Sequence, residues 1–313
     1  MKNSSRSGLH SPTEVFGLRS GREHSWHAWT LAIRVPTLSA AVVPVLVGTA
    51  LAMRERRASL SVFVVTLCAA LLIQIGTNLT NDLFDFQKGA DTGARLGPVR
   101  VVQAGLLSQK QVAAASVLSF GLAIVLGLYL VMVGGWPIIA IGLAAVASGI
   151  AYTGGPWPLG YHGLGDVFVF VFFGVVAVVG TFYLQAGSVT GAALLASLPV
   201  AMLVTAILVV NNLRDIDTDR KAGKRTLAVR FGREATRLQY SILVLGAYLV
   251  AAAMWIGGAN SAWAMLPWLT LPLGIRLVRD VWRGEGAPLN LALRQTAGLH
   301  LVFGVLLAAS FVL

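Results

Sequence analysis

The sequence predicts an all-helical integral membrane protein that crosses the bilayer nine times. Hydrophobic residues make up 56% of its 313 positions and charged residues only 12%, about half of what a soluble domain carries. Nine apolar runs are each close to the roughly 20 residues that a helix needs to span a bilayer. Most tryptophans lie near the ends of these runs, where the interfacial aromatic residues of membrane proteins concentrate.

The chain begins with a polar stretch and continues as one hydrophobic bundle. Residues 1–25 are rich in Ser, Gly and Arg and lack hydrophobic periodicity, which predicts a disordered polar tail. Residues 26–313 contain no Pro-rich linker and are predicted to form a single transmembrane domain. The nine predicted spans are about 28–53, 60–81, 111–133, 136–153, 166–186, 192–212, 238–257, 261–279 and 291–313.

Basic residues concentrate in three of the connections between the spans. The connection 213–237 alone carries eight basic residues, and the connection 82–110 carries four. The connection 280–290, together with the end of the span before it, carries Arg276, Arg279 and Arg283. Because positively charged loops stay in the cytoplasm, the N-terminus and these three loops are predicted to face it. The basic residues at 54–57 disagree, since alternation of the spans places that short loop on the outer side.

Two clusters of Asn and Asp follow the second and the sixth spans, on the same predicted membrane face. They consist of Asn78, Asp82 and Asp85, and of Asn211, Asp215 and Asp219. Spacings of three and four residues place the members of each cluster on one helix face. Carboxylates that face one another repel, which a divalent cation relieves, and oxygen-only ligands select hard cations. The clusters therefore predict a Mg²⁺ site between two helices.

Lysine and arginine residues flank both acidic clusters. They are Lys88, Arg95 and Arg100 after the first, and Arg214, Arg220, Lys221, Lys224 and Arg225 around the second. Acids interleaved with cations suggest a metal-bound polyphosphate, because the metal takes the acids while the cations take the outer phosphate oxygens. The sequence has neither a phosphate-binding nucleotide loop nor a Rossmann fingerprint. Its single cysteine, Cys68, excludes a multi-cysteine metal site.

Two other interpretations stay open at this point. Each acidic cluster could be a solvated helix end with capping residues, although two clusters matched in face and spacing weaken that view. Intramembrane charges also mark the pathways of secondary transporters, but transporter acids should lie near the bilayer midplane. Here the acids lie at helix ends beside basic residues, which favours catalysis.

The acidic clusters also carry a family resemblance. The intramembrane aromatic prenyltransferase superfamily, that of 4-hydroxybenzoate polyprenyltransferase, has two Asp-rich motifs similar to NLTNDLFDFQKGADT from Asn78 and NNLRDIDTDRKAGKRTLAVRF from Asn211. Its 1,4-dihydroxy-2-naphthoate polyprenyltransferase branch is most similar, through Gly97-Pro98 with Arg100, the stretch YTGGPWPLGYHGLGD at 152–166, and the apolar stretch at 33–52. That branch usually shows Arg-Pro-Lys-Thr where this chain has Arg34-Val35-Pro36-Thr37.

The resemblance implies nine transmembrane helices around a central cavity, in a bacterial inner (cytoplasmic) membrane. It implies Mg²⁺-dependent transfer of a polyprenyl group from polyprenyl diphosphate to 1,4-dihydroxy-2-naphthoate with loss of CO₂, giving demethylmenaquinone. Transfer to 4-hydroxybenzoate or another aromatic acceptor is the alternative. Nucleic acid is not an expected partner, although the net charge is +11. The excess basic residues are accounted for by the cytoplasmic loops and by the residues around the expected diphosphate site.

The resemblance further implies roles for individual residues. One metal ion is expected at Asn78, Asp82 and Asp85, and another at Asp215, Asp219 and Asn211. The four aspartates are therefore the expected catalytic residues. Candidates for contact with the diphosphate are Lys88, Arg100, Tyr152 and Arg214. Arg34 either binds the naphthoate carboxylate or is a helix-end arginine that reaches the membrane surface. Asp91 and Asp217 either support the metal ligands or are exposed to solvent.

Overall fold

The structure, a computed structural model, describes residues 21–89 and 96–313 as an all-helical chain. No β-strand occurs within these two ranges, which confirms the predicted all-α class. The first helix begins at Gly21, inside the predicted polar tail, and residues 1–20 lie outside the described part of the chain. Asp91 lies outside it as well.

Twelve α-helices follow one another along the described residues. They are α1 (Gly21–Ile33), α2 (Ser39–Arg54), α3 (Leu60–Gln87), α4 (Gln109–Gly134), α5 (Trp136–Ala151), α6 (Gly165–Phe168), α7 (Ala177–Ala186), α8 (Gly191–Arg214), α9 (Ile216–Lys221), α10 (Leu227–Ile256), α11 (Leu271–Arg283) and α12 (Leu289–Val312). A π-helical segment, Val169–Val176, joins α6 to α7. Short 3-10 segments precede α2, α6 and α11, at Val35–Leu38, Leu159–His162 and Ala262–Thr270.

Seven helical segments within the described residues are long and apolar enough to cross a bilayer. They are Val35–Arg54, Leu60–Gln87, Gln109–Gly134, Gly165–Ala186, Gly191–Arg214, Leu227–Ile256 and Leu289–Val312. The predicted span 136–153 is the 16-residue apolar helix α5, and the predicted span 261–279 is a 3-10 segment followed by α11. The membrane class agrees with the sequence, while the count of nine spans stays a prediction.

The first predicted span, 28–53, is not one continuous helix. Helix α1 ends at Ile33, and Arg34 adopts a left-handed backbone with φ 56° and ψ 61° before the chain enters α2. Pro36 explains why α1 does not continue, since a proline has no N–H to donate to the carbonyl four residues earlier and its ring crowds that carbonyl. The break places Arg34 at the start of the first membrane-spanning segment rather than inside its apolar run.

Close helix contacts in the core depend on residues without a bulky side chain. The largest buried cluster includes residues of α2, α8, α10 and α12. Gly174 lies so close to Ala201 of α8 that a Cβ atom would overlap it, and Gly304 of α12 stands in the same relation to Val43 of α2. Small residues allow this approach in membrane proteins, where packing rather than the hydrophobic effect holds helices together.

A larger side chain at Gly174 should therefore destabilise the fold. Overpacking costs about 1–3 kcal/mol, so Gly174→Leu should lower the unfolding midpoint of the detergent-solubilised protein by roughly 5 °C. Gly127→Leu on α4 is the matched control, because nothing lies within 4 Å of the position its Cβ would take. The unfolding midpoint is measured by tryptophan fluorescence on heating. An equal shift in both variants would contradict the close contact between Gly174 and Ala201.

The basic loop at 54–57 has a structural explanation that its charge pattern does not suggest. Arg54 Nη1 donates to the Ala259 carbonyl at 2.9 Å, and Arg57 Nη1 donates to the Ala186 carbonyl at 2.9 Å. Ala186 is the last residue of α7, and Ala259 follows the end of α10. The carbonyls at helix C-termini lack intrahelical donors and attract cations. Arg57 therefore caps the end of α7, while Arg54 binds the turn that follows α10, and their charge need not report topology.

Candidate active site

The first acidic cluster lies at the C-terminal end of α3 and is buried. Asp82 and Asp85 are each only 2% exposed, so both carboxylates face the protein. Asp82 Oδ2 accepts a hydrogen bond from the Val101 N–H at 3.1 Å. This contact fixes the loop after α3 against the cluster, so that Arg100 lies beside Asp85.

Asp85 is the centre of the polar site. Its Oδ2 accepts a hydrogen bond from Arg100 Nη2 at 2.9 Å. Its Oδ1 accepts from the Tyr161 hydroxyl at 3.0 Å and from Lys224 Nζ at 3.2 Å. The three donors come from three separate connections, those after α3, α5 and α9, so the site is assembled from distant parts of the chain.

The second acidic cluster lies where α8 ends and α9 begins. Asp215, with φ −96° and ψ 8°, separates the two helices, so Asp215 and Asp219 do not share one continuous helix as the spacing predicted. The backbone N–H of Asp219 still donates to the Asp215 carbonyl at 2.8 Å. That bond preserves the four-residue relation across the helix break.

Arg214 is buried within the second cluster and orients its members. Its Nε and Nη2 donate to the two carboxylate oxygens of Asp215, and Nη2 also donates to Asn211 Oδ1 at 2.8 Å. Nη1 donates to Asn290 Oδ1 at 2.9 Å, and Asn290 in turn donates to the Leu96 carbonyl at 2.7 Å. These bonds tie Arg214 to three side chains in and beside the second cluster.

Lys224 joins the two acidic clusters. Its Nζ lies 3.2 Å from Asp85 Oδ1 and 3.9 Å from Asp219 Oδ1. The same ammonium lies 4.7 Å from the centroid of the Tyr161 ring, a cation–π distance. Carboxylates of both predicted clusters thus meet at one positive charge.

Asp217 does not take part in this group. Its carboxylate is exposed and pairs with Arg233 at 2.6 Å and with Arg220 at 3.9 Å. Of the two alternatives that the sequence left for Asp217, the exposed one agrees with the structure.

Asn78 faces the break that precedes α2. Its Nδ2 donates to the Ile33 carbonyl at 2.8 Å and to Thr37 Oγ1 at 3.0 Å. The Thr37 hydroxyl donates to the Arg34 carbonyl at 2.9 Å. Asn78 therefore holds the turn in which Arg34 has its left-handed backbone, and links the first cluster to that arginine.

Lys88 lies at the end of α3 against the connection after α5. Its Nζ donates to the Thr153 carbonyl at 2.6 Å and to the Gly155 carbonyl at 3.3 Å. Burial lowers the pKa of Lys88, the charge of Asp85 opposes that effect, and the charge of Lys224 adds to it. The ammonium also lies 5.1 Å from the Tyr161 ring centroid, so two lysines approach the same ring.

Tyr152 lies in the same connection and keeps its proton. Its hydroxyl lies against Gly165, where an added Cβ would be only 2.9 Å from the oxygen. Burial raises the pKa of Tyr152, and the negative charges of Asp166, Asp85 and Asp219 raise it further. The phenol is therefore a neutral hydrogen-bond donor close to the acidic clusters.

Sequence reasoning missed two residues that hold the site together. Tyr161 lies inside the stretch 152–166 that the family resemblance marks, but nothing in the sequence distinguishes it from its neighbours. Asn290 is a single polar residue at the start of the last apolar run, and it carries no local signal. Their contacts with Asp85 and Arg214 depend on tertiary packing.

The donor set of the site fits Mg²⁺. The four aspartates and two asparagines offer only oxygen ligands to a cation, which hard cations prefer. Among residues 21–89 and 96–313, no three His, Cys, Asp or Glu side chains already form a metal-binding group. Asp85 and Asp219 nevertheless share one cation, the Lys224 ammonium. The residues therefore fit a divalent cation that would take the place of the Lys224 ammonium between Asp85 and Asp219.

Residues 41–311 match the sequence profile of the UbiA prenyltransferase family. The chain belongs to this family. This UbiA-family member is 36% identical over 282 residues to the 1,4-dihydroxy-2-naphthoate octaprenyltransferase of Bacillus subtilis, with 90% of each chain covered. It is 37% identical over 262 residues to the enzyme of that name from Escherichia coli, with 82% of this chain and 85% of the relative covered.

Solved structures share the UbiA fold with this family member. A UbiA homolog from Archaeoglobus fulgidus, with bound GPP and Mg²⁺, has a TM-score of 0.62 at 17% identity and covers 91% of this chain. The match covers 100% of the Archaeoglobus homolog. A UbiA homolog from Aeropyrum pernix has a TM-score of 0.66 at 16% identity over 86% of this chain and 96% of its own. At these identities the likeness establishes the fold.

Proposed function

We propose that this enzyme transfers a polyprenyl group from polyprenyl diphosphate to 1,4-dihydroxy-2-naphthoate with loss of CO₂. The observation that carries the proposal is the meeting of two acidic clusters at one cation position, with Arg100 and Lys88 beside them. The names of the Bacillus and Escherichia relatives support the naphthoate acceptor. The Archaeoglobus homolog with GPP and Mg²⁺ supports the prenyl diphosphate donor and the metal.

The proposed reaction balances without any oxidant. The allylic C–O bond of the donor breaks, and diphosphate leaves with the electron pair. The ring carbon that bears the carboxylate attacks the allylic cation and forms the new C–C bond. The bond to CO₂ then breaks and returns its electron pair to the ring. The product leaves as the quinol form of demethylmenaquinone.

Each acidic cluster has a proposed role in holding the leaving group. Bound Mg²⁺ supplies a Lewis acid that neutralises the charge growing on diphosphate. Asp82 and Asp85 with Asn78, and Asp215 and Asp219 with Asn211, are the proposed metal ligands. Because Arg214 is occupied by Asp215, Asn211 and Asn290, we assign it to orienting the second set of ligands.

Other side chains are proposed to bind the two substrates. Lys88, Arg100 and Tyr152 donate to the outer diphosphate oxygens, the two cations as charge-assisted donors and the tyrosine as a neutral one. Arg34 pairs with the carboxylate of the acceptor, since a guanidinium matches a carboxylate in geometry. Its position at the turn that Asn78 holds keeps the acceptor near the first cluster.

The fold is proposed to supply the surroundings that the reaction needs. A nine-helix domain of residues 26–313 around a central cavity would shield the allylic cation from water. We place it in the bacterial cytoplasmic membrane, with the N-terminus and the acidic clusters on the cytoplasmic side, because the connections beside them are basic.

A direct assay tests the function. Membranes that contain the enzyme are incubated with Mg²⁺, radiolabelled polyprenyl diphosphate and either 1,4-dihydroxy-2-naphthoate or 4-hydroxybenzoate. A labelled lipid-soluble product with release of CO₂ is expected from the naphthoate alone. A product from 4-hydroxybenzoate instead would identify that compound as the acceptor. If neither compound gives a prenylated product, the proposal is overturned.

A further inference from the structure

Lys224 returns to the acidic clusters through a tight turn after α9. Gly223 has a φ of 74°, which lets the chain reverse without steric cost. The backbone N–H of Lys224 donates to the Asp219 carbonyl at 2.9 Å. The side chain then extends back over Asp219 to Asp85 and is only 15% exposed. The position of this ammonium is therefore built by the fold.

Tyr161 provides the other wall of this position. Its ring lies under the Lys224 ammonium, and its hydroxyl donates to the same Asp85 oxygen that Lys224 contacts. The backbone fixes the ring in turn, because the N–H of Arg225 donates to the Tyr161 carbonyl at 2.8 Å. Two carboxylates and the face of the Tyr161 ring thus surround one cation.

We infer that Lys224 is a resident counter-cation of the metal-free enzyme, which competes with the divalent cation for Asp85 and Asp219. The inference rests on the proposed metal-dependent function. It follows from charge balance, because Asp85 and Asp219 carry two negative charges and Arg100 offsets one of them at Asp85. Lys224 supplies the second positive charge whenever no metal is bound. A divalent cation that takes both carboxylates must displace the ammonium.

Displacement of the ammonium couples the binding of the metal ion to the binding of diphosphate. A metal ion that arrives alone has to leave Lys224 as an unpaired cation in a poorly solvated place. A metal ion that arrives with diphosphate brings an anion with which Lys224 can pair. Each ligand therefore strengthens the binding of the other, and by linkage the effect is reciprocal. Lys224 keeps the site closed to metal until the leaving group is present.

Metal binding without catalysis tests this inference. Mn²⁺ affinity is measured by isothermal titration on the purified full-length protein, with and without methylene diphosphonate, a stable diphosphate analogue. An opposite charge within about 4 Å changes the cation affinity of a carboxylate by roughly tenfold or more. Lys224→Gln should bind Mn²⁺ alone about tenfold more tightly than wild type, and should lose most of the enhancement by the diphosphonate.

Two further variants control for charge and folding. Lys221→Gln removes an exposed lysine of the same segment and should leave both affinities unchanged. Lys224→Arg keeps the positive charge and should keep the weak binding of Mn²⁺ alone. If Lys224→Gln binds Mn²⁺ no more tightly than wild type, including no binding by either, the inference is overturned. Prenyl transfer assayed on the same preparations tests the proposed function separately.

Discussion

Asp85→Asn should lower the turnover of prenyl transfer at least about 100-fold, the scale expected when one preorganised charge is removed from a catalytic site. Asp85 accepts hydrogen bonds from Arg100, Tyr161 and Lys224 and is almost fully buried. Asparagine keeps the shape of the side chain but removes its negative charge. Arg100, Lys224 and a bound metal ion all interact with that charge. The single-turnover rate at saturating Mg²⁺ measures the loss.

The same substitution should also destabilise the protein, because it removes the buried negative charge that Arg100 and Lys224 share. Breaking a buried ion pair from one side costs roughly 3 kcal/mol. The matched control is Asp217→Asn, whose carboxylate is 62% exposed and pairs with Arg233 at the surface. We expect this control to retain its activity and unfolding midpoint. Equal activity loss in both variants would contradict a site centred on Asp85.

The fold class could be predicted because bilayer solvation acts on every residue of a span. A run of about 20 apolar residues is a sufficient signal whatever its neighbours are. The exceptions are local. Pro36 and the left-handed Arg34 divide the first predicted span, and the short α5 and the 3-10 segment Ala262–Thr270 fall below spanning length. Such backbone breaks depend on single residues, which a hydropathy pattern averages out.

The acidic clusters could be located for a similar reason, since acids are rare in this chain and their spacing is regular. What the sequence could not give is which cation each acid meets. Five basic residues lie near the second cluster along the chain, yet only Lys224 also reaches Asp85 of the first. That choice is made by the turn at Gly223 and by the Tyr161 ring, both of which act through tertiary structure.

Arg214→Met should be the most destabilising substitution in the second cluster. The guanidinium donates to Asp215, Asn211 and Asn290, and its side chain is inaccessible to solvent. Methionine keeps the apolar stem but leaves the Asp215 carboxylate buried without its cation, at a cost of about 3–5 kcal/mol. Arg214→Lys should recover only part of that loss, because an ammonium cannot reproduce the planar fork that serves three partners.

The kinetics of these variants separate an orienting role for Arg214 from direct contact with the diphosphate. If Arg214 orients Asp215 and Asn211, the Mg²⁺ concentration for half-maximal activity should rise about tenfold in Arg214→Lys, as for residues that position metal ligands. The KM for polyprenyl diphosphate at saturating Mg²⁺ should then change little. A raised KM with an unchanged Mg²⁺ requirement would instead favour direct contact. Arg276→Met is the control, since the Arg276 side chain is 65% exposed and its partner Asp280 lies on the same surface. This substitution should change the free energy of unfolding by less than about 0.5 kcal/mol.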